Sequence, residues 1–326
     1  MKHTISVDGY GYKLRPIKLQ DAGLIIEVRL EDKERNKFIH EISDDVALQE
    51  KWINEYFQRE GDYYFVIENK ISGQSEGLIA IYDIESGKAE WGRWVIKTGS
   101  MAAIESVDLI YKAAFDKLGL DELYCRTIED NTAVVSFHDT IGQKKRAVLD
   151  KFFTVNQQQY NAVEHYVDRQ YYYESLQEEL EKKAYMVFQR NLRFAIGKFE
   201  FHHIGVATKE IKSEIDVYKL LGYVREGKIF EDTQQGIRGQ FMIAKNQPRI
   251  ELLENLTDSH TLDIHLEKKN HLYHFAYTVS DIEKAVEIFT RCHARILSPM
   301  KESVYFEKRI CFLVLKNMFM IELVEL

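Results

Sequence analysis

Two histidines and two glutamates recur at a fixed interval in the C-terminal part of this 326-residue chain. His203 in "HHIGVAT" and His274 in "YHFAYTV" stand 71 residues apart, as do Glu251 in "RIELLE" and Glu322 in "MIELVE". Each histidine therefore precedes its glutamate by the same 48 residues. Two imidazoles and two carboxylates, with water in the remaining positions, suit a divalent first-row metal such as Ni, Co, Zn, Mn or Fe. A metal of this kind acts as a Lewis acid on a carbonyl or thioester oxygen and stabilises the enolate left when an α-proton is removed. His202 has Tyr273 as its counterpart at the same offset, so the repeat lends it no support as a ligand.

The residues around these four must bring them to one point, and they repeat as well. "HHIGVATKEIKSEIDVYKLLGY" aligns with "YHFAYTVSDIEKAVEIFTRCHA", and "FMIAKNQPRIELLENL" with "FLVLKNMFMIELVEL". Each copy reads as strand, helix, then several strands. A unit that small cannot bury its sheet face alone, which predicts two copies paired about a pseudo-twofold axis. Alternation along a strand puts Glu251 and Glu322 on one sheet face, between Ile and Leu on the other. Glu254 and Glu325, three positions further on, then point away and are poor bases.

On these motifs the half from Phe199 to Leu326 resembles the vicinal oxygen chelate superfamily, in its glyoxalase I and methylmalonyl-CoA epimerase branch. The resemblance implies paired βαβββ modules, about 199–257 and 270–326, that form one U-shaped metal site. It places His203, Glu251, His274 and Glu322 at the ligand positions and implies epimerase or isomerase chemistry by α-proton abstraction. A second carboxylate argues against the 2-His-1-carboxylate iron site of the extradiol dioxygenases in the same superfamily.

The first half, residues 1–195, mixes helices and strands and predicts an α+β domain. Strands are expected at "YKLRP", "YYFVIE", "GLIAIYDI", "AEWGRWVI" and "LYCRTI". Helices are expected from Asp21, around Leu48 to Phe57, and from Met101 to Leu118 with Ser100 as N-cap and Gly119 at C′. "SLQEELEKKAYMV" reads as helical, with a connection near Asn191 to Lys198. "YVDRQYYYE" alternates like a strand, and packing is the better account of its tyrosines than base stacking; Trp91 and Trp94 read as packing residues too.

The order from "YKLRPIKLQDAGLIIEVR" through "AEWGRWVI", a loop, a long helix and "CRTIEDNTAVVSFHDTIG" resembles the GNAT acetyltransferases over about residues 10 to 190. It implies a mixed sheet with flanking helices, a splayed strand that offers backbone to the pantetheine of acetyl-CoA or another acyl-CoA, and a pyrophosphate loop at a helix start. Lys97, Thr98, Gly99, Ser100, Met101 and Ala102 form that loop, Gly99 standing one position from the family's glycine. Asn131 corresponds to the residue that contacts the cofactor arm, and Gly142 closes the next helix. His138 stands where the family places a general acid for the leaving thiolate, and an imidazole can serve there. Glu90, beside the splayed strand, is the candidate base for the acceptor amine.

The rest of the composition narrows the class. A formal charge of −8 argues against a nucleic-acid-binding face, since phosphate contact needs clustered Lys and Arg. Three scattered cysteines fit a reducing compartment, and no apolar run reaches the length of a signal or membrane segment. The expectation is a cytoplasmic bifunctional enzyme acting on small molecules, with a homodimer as the assembly left open. The GNAT resemblance implies a small amine as acceptor, a nucleotide-linked amino sugar first and a protein N-terminus second. The rival expectations are a binding or resistance protein, or an acyltransferase whose C-terminal half serves acceptor recognition or dimerisation.

Overall fold

The computed structural model describes residues 2–326, and the chain divides into two compact units, Met1–Arg190 and Asn191–Leu326. The first unit is α+β. Its strands β1 (Val7–Asp8), β2 (Tyr12–Pro16), β3 (Tyr63–Asn69), β4 (Ser75–Glu85), β5 (Lys88–Ile96), β6 (Glu122–Ile128), β7 (Lys144–Val155) and β8 (Gln158–Asp168) form one eight-stranded sheet. The order is β1-β2-β3-β4-β5-β6-β8-β7, antiparallel except between β5 and β6. Helices α1 (Ala22–Leu30) and α2 (Val46–Tyr56) cover one face, and α3 (Ala103–Lys112) the other. Phe65 and Ile67 join the cluster beneath α3, whereas Tyr64 and Val66 join the one beneath α1 and α2. Burial on both faces is why "YYFVI" is a continuous apolar run.

Local chemistry moves several boundaries from their expected places. Ser100 is not the N-cap of α3: its hydroxyl donates to Glu76 Oε2 at 2.6 Å and accepts from the Ala102 N–H at 3.2 Å, so Ala102 takes the cap position. The helix widens into a π turn at Ala113–Lys117 before Gly119, whose φ of +70° ends it. α4 (Thr132–Thr140) lies as expected between Asn131 and Gly142. The tyrosine run is not a strand. Asp168 ends β8, accepts from the Tyr171 N–H at 2.8 Å and starts α5 (Arg169–Tyr171), which continues into α6 (Gln177–Ile196). Tyr172 packs in the core against Tyr111 and Phe115. The connection expected near Asn191 to Lys198 is helical through Ile196, and the division between units falls inside α6.

The second unit contains β9 (Phe199–Ala207), α7 (Ile211–Leu220), β10 (Val224–Asp232), β11 (Ile237–Ile243), β12 (Ile250–Asn255), α8 (Asp263–Glu267), β13 (Leu272–Val279), α9 (Ile282–Arg291), β14 (Arg295–Glu302), β15 (Arg309–Val314) and β16 (Met320–Glu325). Its sheet runs β10-β11-β12-β9-β13-β16-β15-β14, which reads the same from either end once the two modules are numbered alike. The first strand of each module pairs in parallel with the last, β9 with β12 and β13 with β16, and the two first strands meet antiparallel. Glu254 faces away from the four repeated residues, as alternation requires: its Oε2 accepts from Ile211 N–H at 2.8 Å and so caps α7.

Candidate functional site

The four central strands of the second unit carry the repeated residues to one point. Gly205 on β9 lies opposite both Glu251 and His274, and Ala276 on β13 opposite both Glu322 and His203. Small residues at these two positions leave room for the imidazoles above them. The four ligand atoms lie within 4.8 Å of one another and all four side chains are buried. His203 Nε2 is 3.1 Å from His274 Nε2, 3.1 Å from Glu251 Oε2 and 3.4 Å from Glu322 Oε2.

Burial dominates the electrostatics. It holds the His203 imidazole down to about 3 and that of His274 to about 4, so both are neutral, the form that ligates metal. Burial also raises both glutamates, Glu322 to about 8. Glu322 Oε2 and His274 Nδ1 are buried and have no hydrogen-bond partner among the described residues. Burial thus opposes the ionised form of both carboxyls beside two neutral imidazoles, and a cation among them would offset that cost. Spacings of 3.1–3.5 Å between donors also match the edge of a coordination polyhedron with metal–ligand bonds of ~2.1 Å. The residues present therefore fit a divalent metal.

His202 lies outside this cluster but touches it. Arg249 Nη1 donates to His202 Nε2 at 3.0 Å, and His202 Nδ1 sits 2.8 Å from His203 Nδ1. Burial keeps His202 neutral, so with Nε2 accepting, its proton resides on Nδ1 and points at His203. Sequence pattern assigned no part to Arg249, and its only signal was a position two before a ligand. Phe306 and Tyr305, between β14 and β15, pack over His203 and Phe241, and the enclosed cavity at the site measures only about 10 Å³.

In the first unit the parallel pairing of β5 with β6 stops after Glu90↔Tyr124. β5 runs on to Ile96 and β6 to Ile128, each still held on its other side, so the two strands part and leave backbone facing a gap. A cleft of about 500 Å³ opens there, lined by Trp94, Ile96, Ala103, Asn131 and Phe137. A neighbouring cavity of about 330 Å³ shares Trp94, Val95 and Asn131 with it and reaches Glu90, Arg126 and His138.

The expected loop lies between Ile96 and Ala103, both of which line the cleft. Lys97 pairs with Glu27 at 2.7 Å, Gly99 turns at φ +81° with open space around it, and Met101 precedes the buried Ala102. The Thr98 N–H donates to Glu31 Oε2 at 2.9 Å. A carboxylate on that amide is a stand-in for an anion, so cleft and loop fit a diphosphate-bearing acyl thioester. Glu90 accepts from Arg126 at 2.7 Å and from Tyr82 at 3.3 Å, and burial raises its carboxyl above the ordinary range. His138 is buried against Trp91 and Trp94, 3.8 Å from Cys125 Sγ, and burial lowers it to about 3.

Comparison with known proteins agrees with this division. Residues 12–144 match the acetyltransferase (GNAT) domain, and residues 202–312 match the glyoxalase/bleomycin resistance protein/dioxygenase superfamily. The chain thus carries an N-terminal GNAT domain followed by a C-terminal vicinal oxygen chelate domain. A GCN5-related N-acetyltransferase from Brucella melitensis is similar at 18% identity over 56% of this chain and 86% of its own, with a TM-score of 0.50. Apo FdhC, a nucleotide-linked sugar GNAT, is similar at 24% identity over 58% of this chain and 98% of its own, TM-score 0.45. A spermidine/spermine N-acetyltransferase SpeG from Vibrio cholerae in complex with manganese ions is similar at 18% identity over 50% of this chain and 95% of its own, TM-score 0.42. No curated protein matches the sequence.

Proposed function

We propose that the first unit transfers an acyl group from acetyl-CoA or another acyl-CoA to the amine of a small molecule, and that the second holds a divalent metal for epimerase- or isomerase-type chemistry. The observation that carries the first part is the parting of β5 from β6 beyond Glu90, opposite the start of α4. The cofactor would supply the activated thioester. Backbone groups of Trp91 to Ile96 would hold its arm by strand-like hydrogen bonds, with Asn131 at the cleft wall and the 97–102 loop at the phosphates. Glu90 would accept the proton of the acceptor ammonium, its affinity for protons raised by burial. His138, neutral and enclosed, serves better to shape the cleft than to donate as an imidazolium.

His203, Glu251, His274 and Glu322 would hold the metal, which supplies Lewis acidity to a bound carbonyl oxygen. Ligands from both modules also tie the two halves of the sheet together. The small closed cavity favours a second reading, in which the metal is a structural clamp and no substrate reaches it. A nucleotide-linked amino sugar remains our first acceptor.

Elemental analysis with a thermal-shift screen of acyl-CoAs tests these readings together. Stoichiometric metal, lost in the His203→Ala/His274→Ala double variant, and stabilisation by acyl-CoA in both proteins are the expected results. Absence of any CoA or acyl-CoA binding would overturn the acyltransferase reading. A Co(II) spectrum unmoved by small oxygen chelators would leave the clamp.

A further inference from the structure

The cavity wall of the first unit contains three arginines, Arg29, Arg93 and Arg126, and their pairing is unequal. Arg93 holds both oxygens of Asp62 at 2.8 and 2.9 Å. Arg126 bridges Glu90 and Glu164 at 2.7 and 2.8 Å. Arg29 is not paired in this way: its Nη2 donates to the His40 carbonyl at 2.6 Å, and its Nε is buried with no hydrogen-bond acceptor among the described residues. Among the described residues no carboxylate forms an ion pair with it, although Glu41 and Asp44 line the adjoining space. A guanidinium withdrawn from water with donors unused is costly, and one charged acceptor would satisfy it.

The direction in which Arg29 points separates it from the expected phosphate loop. On α1, Glu27 pairs with Lys97 and Glu31 accepts from Thr98, so that face meets the loop. At ~100° per residue, Arg29 lies roughly 160° around the helix from both. It enters instead the cavity that Glu90 and Arg126 also line.

We propose that Arg29 is an anion-binding residue of the acceptor site, so that the acceptor amine carries a carboxylate or phosphate group and is not a polycation. This rests on the acyltransferase reading of the same cleft. A polyamine there would meet an unneutralised cation, whereas an anionic amine gains a charge-assisted hydrogen bond.

The full-length protein is titrated with inorganic phosphate and with acetate, in the wild type, Arg29→Met and Arg29→Lys. Transfer is measured from acetyl-CoA to an amino sugar phosphate, an amino sugar acid, the neutral amino sugar and spermidine. We expect anion binding in the wild type, its loss in Arg29→Met and partial return in Arg29→Lys. We also expect a 10- to 100-fold preference, on the order of one charged hydrogen bond, for an anionic acceptor that Arg29→Met removes. Phosphate binding alone assigns a phosphoryl group, and acetate binding a carboxylate. Equal anion binding in the wild type and Arg29→Met, or a preference for spermidine, overturns the proposal. Anion binding lost in Arg29→Met without acyl-CoA binding would sustain an anion site while the acyltransferase reading fails.

Discussion

Gly205 lies directly beneath the imidazole of His274: a Cβ at that position would come 2.2 Å from Cε1 and 2.4 Å from Nδ1. Its counterpart in the other module, beneath His203, is Ala276. The twofold repeat is therefore uneven at the point where the four side chains converge. Gly205→Ala should tilt His274 away from His203 and weaken metal binding by about 10- to 100-fold, the range seen when a ligand loses its orientation. Calorimetric titration with Zn²⁺ or Ni²⁺ checks this. Ala276→Gly should leave affinity nearly unchanged and cost about 0.5–1 kcal/mol of stability as a strand glycine.

Arg249 sets the proton positions behind His203. It can only donate, so the proton of His202 faces His203 Nδ1, and the His203 proton is driven to Nε2, the nitrogen that faces Glu251, Glu322 and His274. A metal on that nitrogen requires the proton on Nδ1, and hence the reverse arrangement in His202, which Arg249 opposes. Its positive charge also disfavours a cation nearby. Arg249→Leu should raise divalent metal affinity by roughly tenfold. A fall in affinity would show that Arg249 supports the site and that this proton order is wrong.

Glu105 predicts how stability varies with pH. Its carboxylate accepts from Gly11 N–H at 3.0 and 3.2 Å inside the "DGYGY" loop, where a side chain at Gly9 would meet it at 2.1 Å. Burial raises it to about 7. A proton is thus held in the native state that the unfolded chain releases above about 4.5, so stability is greatest below that value and falls as pH rises through 7. The loss between pH 4.5 and 8 is about 3 kcal/mol. The difference between wild type and Glu105→Gln in urea unfolding across that range isolates it, and a pH-independent difference would refute it.

The arrangement of the second unit was readable because a repeat carries long-range information: equal spacing of His203, Glu251, His274 and Glu322 implied equal strands and a common point. Features that depend on a single partner were not readable. Ser100 looked like an N-cap until Glu76, from another strand, took its hydroxyl. The "YVDRQYYYE" alternation is real up to Asp168, whose side chain then starts a helix that alternation cannot register. Strand β7 leaves little trace in the sequence, since "KKRAVLDKFFTV" is mostly exposed and carries little apolar periodicity. Arg29 stands out only because no carboxylate among the described residues pairs with it, which no spacing encodes.

Glu90 provides the most direct trial of the first unit. It stands at the last paired position before β5 and β6 separate, buried but bordering the cavity, between Arg126 and Tyr82. Glu90→Gln keeps the volume of the side chain, its one oxygen can still accept from Arg126 and its NH2 can donate to the Tyr82 hydroxyl, so fold and cofactor binding should persist while the proton acceptor is lost. The rate constant for transfer should fall by about 10²- to 10⁴-fold with acyl-CoA affinity within a factor of two or so. In the wild type, activity should climb with pH along a limb set by a carboxyl raised above its ordinary range by burial, since only the ionised form takes the proton. In Glu90→Gln that limb should vanish. A variant that keeps both the rate and the limb would move the base elsewhere and leave Glu90 as the anchor that holds Arg126 at the cavity wall.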